Sequence, residues 1–106
     1  MLEIVDNGKT KIIYIGGTFN FEVGIELKEK ISEYMHHNTL FVISFKDISF
    51  INSSGIRELL DLHRILASNG IKLHLCDLSE DINELFSFTG LDNVFKIYSD
   101  ETSALE

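Results

Sequence analysis

Residues Leu40 to Phe45 form a nearly continuous apolar run in the middle of the chain, and no other feature limits the fold so strongly. The run has the length and the composition of a β-strand that is buried on both faces. Such strands lie at the centre of sheets that helices cover. We therefore expect a layered α/β fold with this strand near its middle.

Amphipathic segments flank the run on both sides. A first helix is predicted to begin at Phe21, with Asn20 as its N-cap, because apolar residues recur at helical spacing from Val23 to Tyr34. A second is predicted from about Ser54 to Ser68 and a third from Ser79 to Phe88. The inward face of the second helix is assigned to Ile56, Leu59, Leu60, Leu66 and Ala67.

Further strands complete the alternation. Leu2 to Val5 and Lys11 to Ile15 are predicted to pair as an N-terminal β-hairpin. Ile71 to Cys76 alternates apolar and polar residues, which predicts a half-buried strand, and Val94 to Tyr98 is predicted as the last strand. The order β-β-α-β-α-β-α-β predicts a mostly parallel mixed sheet with right-handed crossovers, an α/β fold.

Composition narrows the function. The 106 residues contain no proline and no linker-like stretch, so we expect one domain spanning 1–106, in which Leu105 and Glu106 resemble a cloning remnant. Nine Lys and Arg against 17 Asp and Glu give a net charge of −8, which argues against nucleic-acid binding. The chain has one cysteine, no export signal and no membrane-spanning apolar stretch, and we expect a cytoplasmic protein.

Two hydroxyls, those of Ser53 and Ser54, lie at the predicted start of the second helix, between Asn52 and Gly55. A helix start stabilises an anion, because its N–H groups are unpaired and the helix dipole is positive there. A serine in this position commonly acts only as the helix N-cap. A phosphoryl group would be stabilised in the same place, so both interpretations stay open on this stretch alone.

The wider string FKDISFINSSGIRELL, Phe45 to Leu60, resembles the signature of the STAS domains of bacterial anti-sigma factor antagonists. In that signature an apolar strand leads into an Asp-Ser-Ser/Thr-Gly motif. The resemblance extends to Gly17 through Leu27, where the family opens its first helix, and to Ile71 through Ile97, where it has its late strands and third helix. It implies a STAS fold over nearly the whole chain.

The resemblance also implies a mechanism. In such proteins the first serine of the motif, here Ser53, is phosphorylated by a partner that is both anti-sigma factor and serine kinase, and Ser54 is the second choice of acceptor. The unphosphorylated form binds the kinase and frees the sigma factor, and a serine phosphatase resets the switch. The implied protein is a cytoplasmic binding protein and not an enzyme, without cofactor, which we expect to be a monomer.

Two residues depart from the family pattern. Asn52 and Asn20 stand where the family usually carries acids next to the acceptor. An amide keeps the shape and the capping ability of a carboxylate but removes its charge. These substitutions keep an alternative open, in which the chain is a phosphorylation-independent STAS adaptor in a stress-sensing or transport-associated complex.

The second helix also offers a partner surface. Arg57, Asp61 and Arg64 recur at helical spacing and predict a polar stripe beside the acceptor, although ordinary solvated ion pairs would have the same spacing. Leu62 and Ile65 lie off the predicted apolar stripe and are expected to be the exposed apolar part of the contact.

No metal or catalytic site is predicted. His74 and Cys76 share one face of a strand, but two ligands without a third are poor evidence for a metal. His63 has no identifiable nucleophile beside it, and no phosphate-binding glycine loop or Cys-x-x-Cys motif occurs.

Overall fold

The computed structural model describes residues 1–36 and 39–105. The elements follow in the order β1 (Leu2–Asn7), β2 (Thr10–Ile15), β3 (Gly17–Phe19), α1 (Phe21–Ser32), β4 (Leu40–Ser44), β5 (Ile48–Ile51), α2 (Ser53–Ser68), β6 (Lys72–Cys76), α3 (Glu80–Thr89), a 3₁₀ turn (Leu91–Asn93), β7 (Lys96–Tyr98) and α4 (Glu101–Ala104). None of the helices in these ranges is long and apolar enough to cross a membrane.

The main sheet has five strands in the order β1-β2-β4-β6-β7. The β1–β2 hairpin is antiparallel and the remaining pairs are parallel, which confirms the predicted mixed sheet. The apolar run occupies β4, the middle strand, and Phe41, Val42, Ile43 and Phe45 are each at most 1% exposed. Burial on both faces explains why this strand lacks polar alternation.

The two faces of the sheet are covered unequally. Ile13, Ile43 and Leu75 lie on the face that packs against α1, α2 and α3 in the main core. The other face packs Val42 and Cys76 against Ala104 of the short helix α4. This second layer was not predicted from the sequence.

The short helix α4 overturns one expectation. The alternation in β6 predicted a half-buried strand, yet Leu73, His74, Leu75 and Cys76 are all buried. The reason is that α4 packs on β4, β6 and β7 and covers the face that the pattern assigned to solvent. Leu105 also packs against this second cluster, whereas Glu106 lies outside the described residues.

The predicted order of elements omitted a second, two-stranded parallel sheet made by β3 and β5. These strands have only three and four residues, too short for a clear alternation. The predicted last strand is also shorter than expected, since Val94 and Phe95 lie between the 3₁₀ turn and β7. The small sheet matters most, because it places the starts of two helices.

Candidate functional site

The strands of the small sheet deliver two helices side by side. Phe19, the last residue of β3, is followed by Asn20 and then α1, whereas Ile51, the last of β5, is followed by Asn52 and then α2. Phe19 and Ile51 are register partners in this parallel pair, and the Asn52 backbone N–H donates to the Phe19 carbonyl over 3.2 Å. The N-termini of α1 and α2 therefore lie next to each other.

Asparagine caps both helices. Asn20 Oδ1 accepts a hydrogen bond from the Val23 N–H at 3.0 Å, and Asn52 Oδ1 accepts one from the Gly55 N–H at 2.8 Å. Both asparagines have extended backbone angles, as N-cap residues do. The cap predicted at Asn20 is confirmed. The interpretation of Ser53 or Ser54 as the cap of α2 is wrong, because Asn52 takes that position.

The cap at Asn52 leaves the two serines free for other interactions. Ser53 is the first residue of α2 and is exposed, whereas Ser54 is half-buried. Within residues 1–36 and 39–105 neither hydroxyl forms a hydrogen bond to another protein group. The more accessible of the two hydroxyls thus lies at the positive end of the α2 dipole.

Two glycines permit this close arrangement. A Cβ on Gly55 would lie 2.1 Å from the Phe19 carbonyl oxygen, and one on Gly24 would lie 2.3 Å from Glu58 Cβ. Real contacts of that length do not occur, so any other residue forces a shift. Gly55 therefore brings the first turn of α2 onto the end of β3, and Gly24 brings α1 onto α2.

Charged side chains join the two helices. Lys28 Nζ of α1 lies 2.6 Å from Glu58 Oε1 and 2.9 Å from Asp61 Oδ2, both on α2. Arg64 also pairs with Asp61. The hydrogen bond from Lys28 is the main cause that lowers the pKa of Asp61, and the bond to Glu58, followed by that to Asp61, raises the pKa of Lys28.

The partner surface predicted on α2 is only partly accessible. Arg57 and Arg64 are exposed, whereas Asp61 and Ile65 are half-buried. The expectation that Leu62 is exposed is wrong, because it is 1% exposed and belongs to the main core. It follows Leu59 by three residues and precedes Leu66 by four, and these spacings place it on the buried face.

The predicted inward face of α2 also needs one correction. Ala67 was expected to face the core, but it is exposed. Leu59 and Leu66 are buried as predicted, and Ile56 and Leu60 are partly buried against the core. The apolar stripe therefore includes Leu62 and excludes Ala67.

Two exposed aromatic residues close in sequence to the two helix starts were missed. Phe21 is the first residue of α1 and is 51% exposed, and Phe50 in β5 is 56% exposed. Within β5 only the end residues Ile48 and Ile51 are buried. The sequence held a signal for Phe21, because this residue directly follows the predicted cap Asn20 and is therefore expected in the first turn of the helix.

The remaining candidates have structural surroundings. His74 Nδ1 lies 2.7 Å from the Ala104 carbonyl oxygen, and its ring lies 4.7 Å from that of Tyr98. Burial is the main cause that raises the pKa of Cys76 to about 12, so its thiol stays protonated at neutral pH. His63 packs edge-on against Phe95. In the described part of the chain no three metal-ligating side chains converge.

Comparison with known proteins places this geometry in a family. The chain is 30% identical over 64 residues to the anti-sigma F factor antagonist of Paenibacillus polymyxa, a match that covers 60% of this chain and 55% of that protein. It is 25% identical over 96 residues to the anti-sigma-B factor antagonist of Bacillus subtilis (strain 168), covering 91% of this chain and 88% of that protein.

The fold also matches solved structures. The chain superposes on the structure of the phosphorylated Bacillus cell fate determinant SpoIIAA with a TM-score of 0.72 at 21% identity. The match covers 97% of this chain and 96% of that one. A likeness at this identity shows the fold alone. The family model described as "STAS domain" matches residues 1–104, and the chain therefore belongs to the STAS domain family.

Proposed function

We propose that the chain is an anti-sigma factor antagonist, which binds an anti-sigma factor of the serine-kinase type and is released when that partner phosphorylates Ser53. The observation that carries this proposal is the position of Ser53. It is the exposed first residue of α2, and its hydroxyl is spared from capping because Asn52 provides the cap. The names of the two antagonist relatives support the choice of partner.

The electrostatics of the site suit a phosphorylated serine. A phosphoserine carries about −1.5 to −2 charges at pH 7, and the start of a helix offers roughly half a positive charge. The first turn of α2 contains no acidic residue, and both neighbouring caps, Asn20 and Asn52, are neutral. Glu22 in the first turn of α1 is the one acid in the opening turns of the two helices.

The surroundings of Ser53 explain how one phosphate could release a partner. Phe21 and Phe50 supply exposed aromatic surface, and Arg57 supplies a charge that has no ion pair within the described ranges. Aromatic residues and arginine often dominate binding energy. A phosphate placed among them must lose its water on binding, and a buried unpaired charge costs roughly 2 to 5 kcal/mol, about 30-fold to several thousand-fold in affinity.

The switch needs two chemical steps. The partner's kinase centre transfers the γ-phosphoryl group of ATP to Ser53 Oγ, which loses its proton, and ADP leaves. A serine phosphatase later hydrolyses the phosphate ester with water and restores the hydroxyl. This chain supplies the acceptor and the binding surface, and both catalytic centres belong to its partners.

A second candidate function rests on the two amides. Asn20 and Asn52 leave the site without the carboxylates that could orient an acceptor or a kinase-bound metal, and Oδ1 of each amide accepts the capping hydrogen bond. A STAS adaptor that binds its partner without phosphorylation would tolerate these residues.

The two functions differ in one measurable property, the covalent state of Ser53 after exposure to the partner and ATP.

The test uses the kinase-type anti-sigma factor from the same organism, with ATP and mass spectrometry. We expect one added phosphate on the wild-type chain, none on Ser53→Ala, and one on the matched control Ser49→Ala, whose exposed serine lies in β5. We also expect Ser53→Asp to weaken the complex in a calorimetric titration.

Two results would contradict the proposal. A stable complex that never gains phosphate at any nucleotide concentration would favour the adaptor. Phosphorylation that persists in Ser53→Ala but disappears in Ser54→Ala would move the acceptor to the half-buried second serine.

A further inference from the structure

A cavity of about 340 Å³ lies at the other end of α2, between that helix and the leading ends of β6 and β7. Its lining includes the apolar residues Leu66, Leu73 and Val94 and the polar residues Lys72, Lys96 and Tyr98. Leu66 follows Ser53 by 13 residues of helix, a rise of about 20 Å. The cavity is therefore separate from the site proposed above.

The cavity exists because β7 is short. The register between β6 and β7 begins at the pair His74 and Lys96, so that Lys72 and Leu73 in β6 extend beyond the first residue of β7. The chain before β7 leaves the sheet through Val94 and Phe95, and Phe95 packs against His63 of α2. An opening remains between the start of β6 and this segment.

The charge of the lining is opposite to that of the chain. The chain has a net charge of −8, yet the described residues around the cavity include two lysines and two histidines and no acid. Lys72 and Lys96 are exposed and form no ion pair within residues 1–36 and 39–105. Two uncompensated cations beside one opening attract an anion.

Of the two ring side chains, only Tyr98 can donate to an anion. The Ala104 carbonyl can only accept, so His74 Nδ1 donates to it, and Nε2 of the neutral ring is left as an acceptor, which does not bind an anion. The Tyr98 hydroxyl, without a hydrogen bond to any described residue, can donate or accept. Beside them, Leu66, Leu73 and Val94 offer apolar contact for the body of a ligand.

We propose that this cavity binds a small organic anion, a carboxylate or phosphate monoester attached to one apolar or aromatic ring. The anionic group pairs with Lys72 and Lys96, and the ring contacts the apolar lining. A volume near 340 Å³ lies at the lower end of the range for small-molecule sites, which leaves room for a ring and its anionic group. This binding does not depend on phosphorylation of Ser53.

The test is an NMR titration of the ¹⁵N-labelled chain with benzoate, phenyl phosphate and the neutral match benzyl alcohol. We expect saturable shifts of the Leu73, Val94 and Lys96 amides with at least one anion, and binding of benzyl alcohol that is weaker by about fivefold or more. The stronger of the two anions identifies which headgroup the cavity prefers.

Variants of exposed lysines make the test specific. Lys96→Gln should weaken binding of the preferred anion by about fivefold, and Lys46→Gln, an exposed lysine after β4, should leave it unchanged. The amide spectra report directly whether each variant is folded. The proposal is overturned if neither anion saturates, if benzyl alcohol binds equally well, or if Lys96→Gln and Lys46→Gln behave alike.

Discussion

The starts of α1 and α2 are built in the same way and differ in what they expose. Each follows one strand of the small parallel sheet, each is capped by an asparagine, and each has a glycine in its first turns. The first residue of α1 is Phe21, beside the acid Glu22, whereas the first residue of α2 is Ser53, with no acid in its turn. The same local arrangement thus carries an exposed phenyl ring at one helix start and an exposed serine hydroxyl at the other.

The two glycines show a second difference between these helix starts. Residue 55 must be glycine because a Cβ there would overlap the backbone carbonyl of Phe19. Residue 24 must be glycine because a Cβ there would overlap the side chain of Glu58. The Phe19 carbonyl is backbone within the small sheet, and Glu58 Cβ, the atom nearest to Gly24, is fixed by the α2 backbone, so rotating a side chain relieves neither contact. Gly55 thus sets how closely α2 approaches the end of β3, and Gly24 sets how closely α1 approaches α2.

The largest expected effects come from adding a Cβ at the two glycines. Gly55→Ala should lower the free energy of unfolding by about 3 kcal/mol, because the new methyl group overlaps the Phe19 carbonyl. Gly24→Ala should cost about 1 to 3 kcal/mol, because Glu58 Cβ cannot rotate away and α1 must shift from α2, although alanine favours the helix. Urea unfolding followed by circular dichroism measures both.

Gly70→Ala serves as the control for the glycine variants. Gly70 has a φ of +67° and an open space around its Cβ position, so its cost reports backbone strain without a clash. If neither Gly24→Ala nor Gly55→Ala costs more than Gly70→Ala, close approach of a neighbouring element is not what requires glycine at these positions.

The sequence was sufficient to predict what depends on local pattern. The apolar run at Leu40 to Phe45, the hairpin and the asparagine cap of α1 follow from residue type and spacing, and the structure confirms them. The position of Ser53 at the start of α2 was predicted from the same kind of signal, a polar stretch before an amphipathic helix.

Features that depend on distant packing could not be read from the sequence. The burial of His74 and Cys76 follows from α4, which lies about 30 residues further along the chain. Leu62 was misplaced because the stripe was drawn too narrowly, although its spacing to Leu59 and Leu66 held the signal. The juxtaposition of the two helix starts depends on strands too short to show a pattern.

The next prediction compares the two helix starts by placing a negative charge at each cap. Asn52→Asp keeps the capping oxygen and adds a negative charge at the positive helix end, so it should stabilise the unphosphorylated chain by about 0.3 to 1 kcal/mol. After phosphorylation of Ser53 the new carboxylate faces the phosphate, and the gain should become a loss. Thermal unfolding of both forms measures the change of sign.

Asn20→Asp is the matched variant at the other helix start. It should give a similar gain without phosphate, and a smaller change with it, because Asn20 precedes Phe21 and not the phosphorylated serine. Asn52→Ala should cost about 1 kcal/mol in either form through loss of the cap. Equal phosphate effects on both aspartate variants would mean that the phosphate does not distinguish the two helix starts.

The smallest effect concerns the ion pairs that join the helices. The pKa of Asp61 is lowered from its ordinary value of 3.8, chiefly by Lys28. A lowered folded-state pKa means that the stabilisation is present above about pH 4 and is lost as the pH falls through the folded-state value. Asp61→Asn should therefore destabilise by less than about 1 kcal/mol at pH 7, and the deficit should shrink as the solution is acidified below pH 3.8.

Asp47→Asn, an exposed acid without an ion pair among the described residues, is the control and should show no deficit that depends on pH in this way. Unfolding in urea across the acid range compares the three proteins. A deficit for Asp61→Asn that stays constant from neutral to acid pH would show that Asp61 acts through packing and not through charge. The pair of Lys28 with Glu58 would then be left to join α1 to α2 by charge.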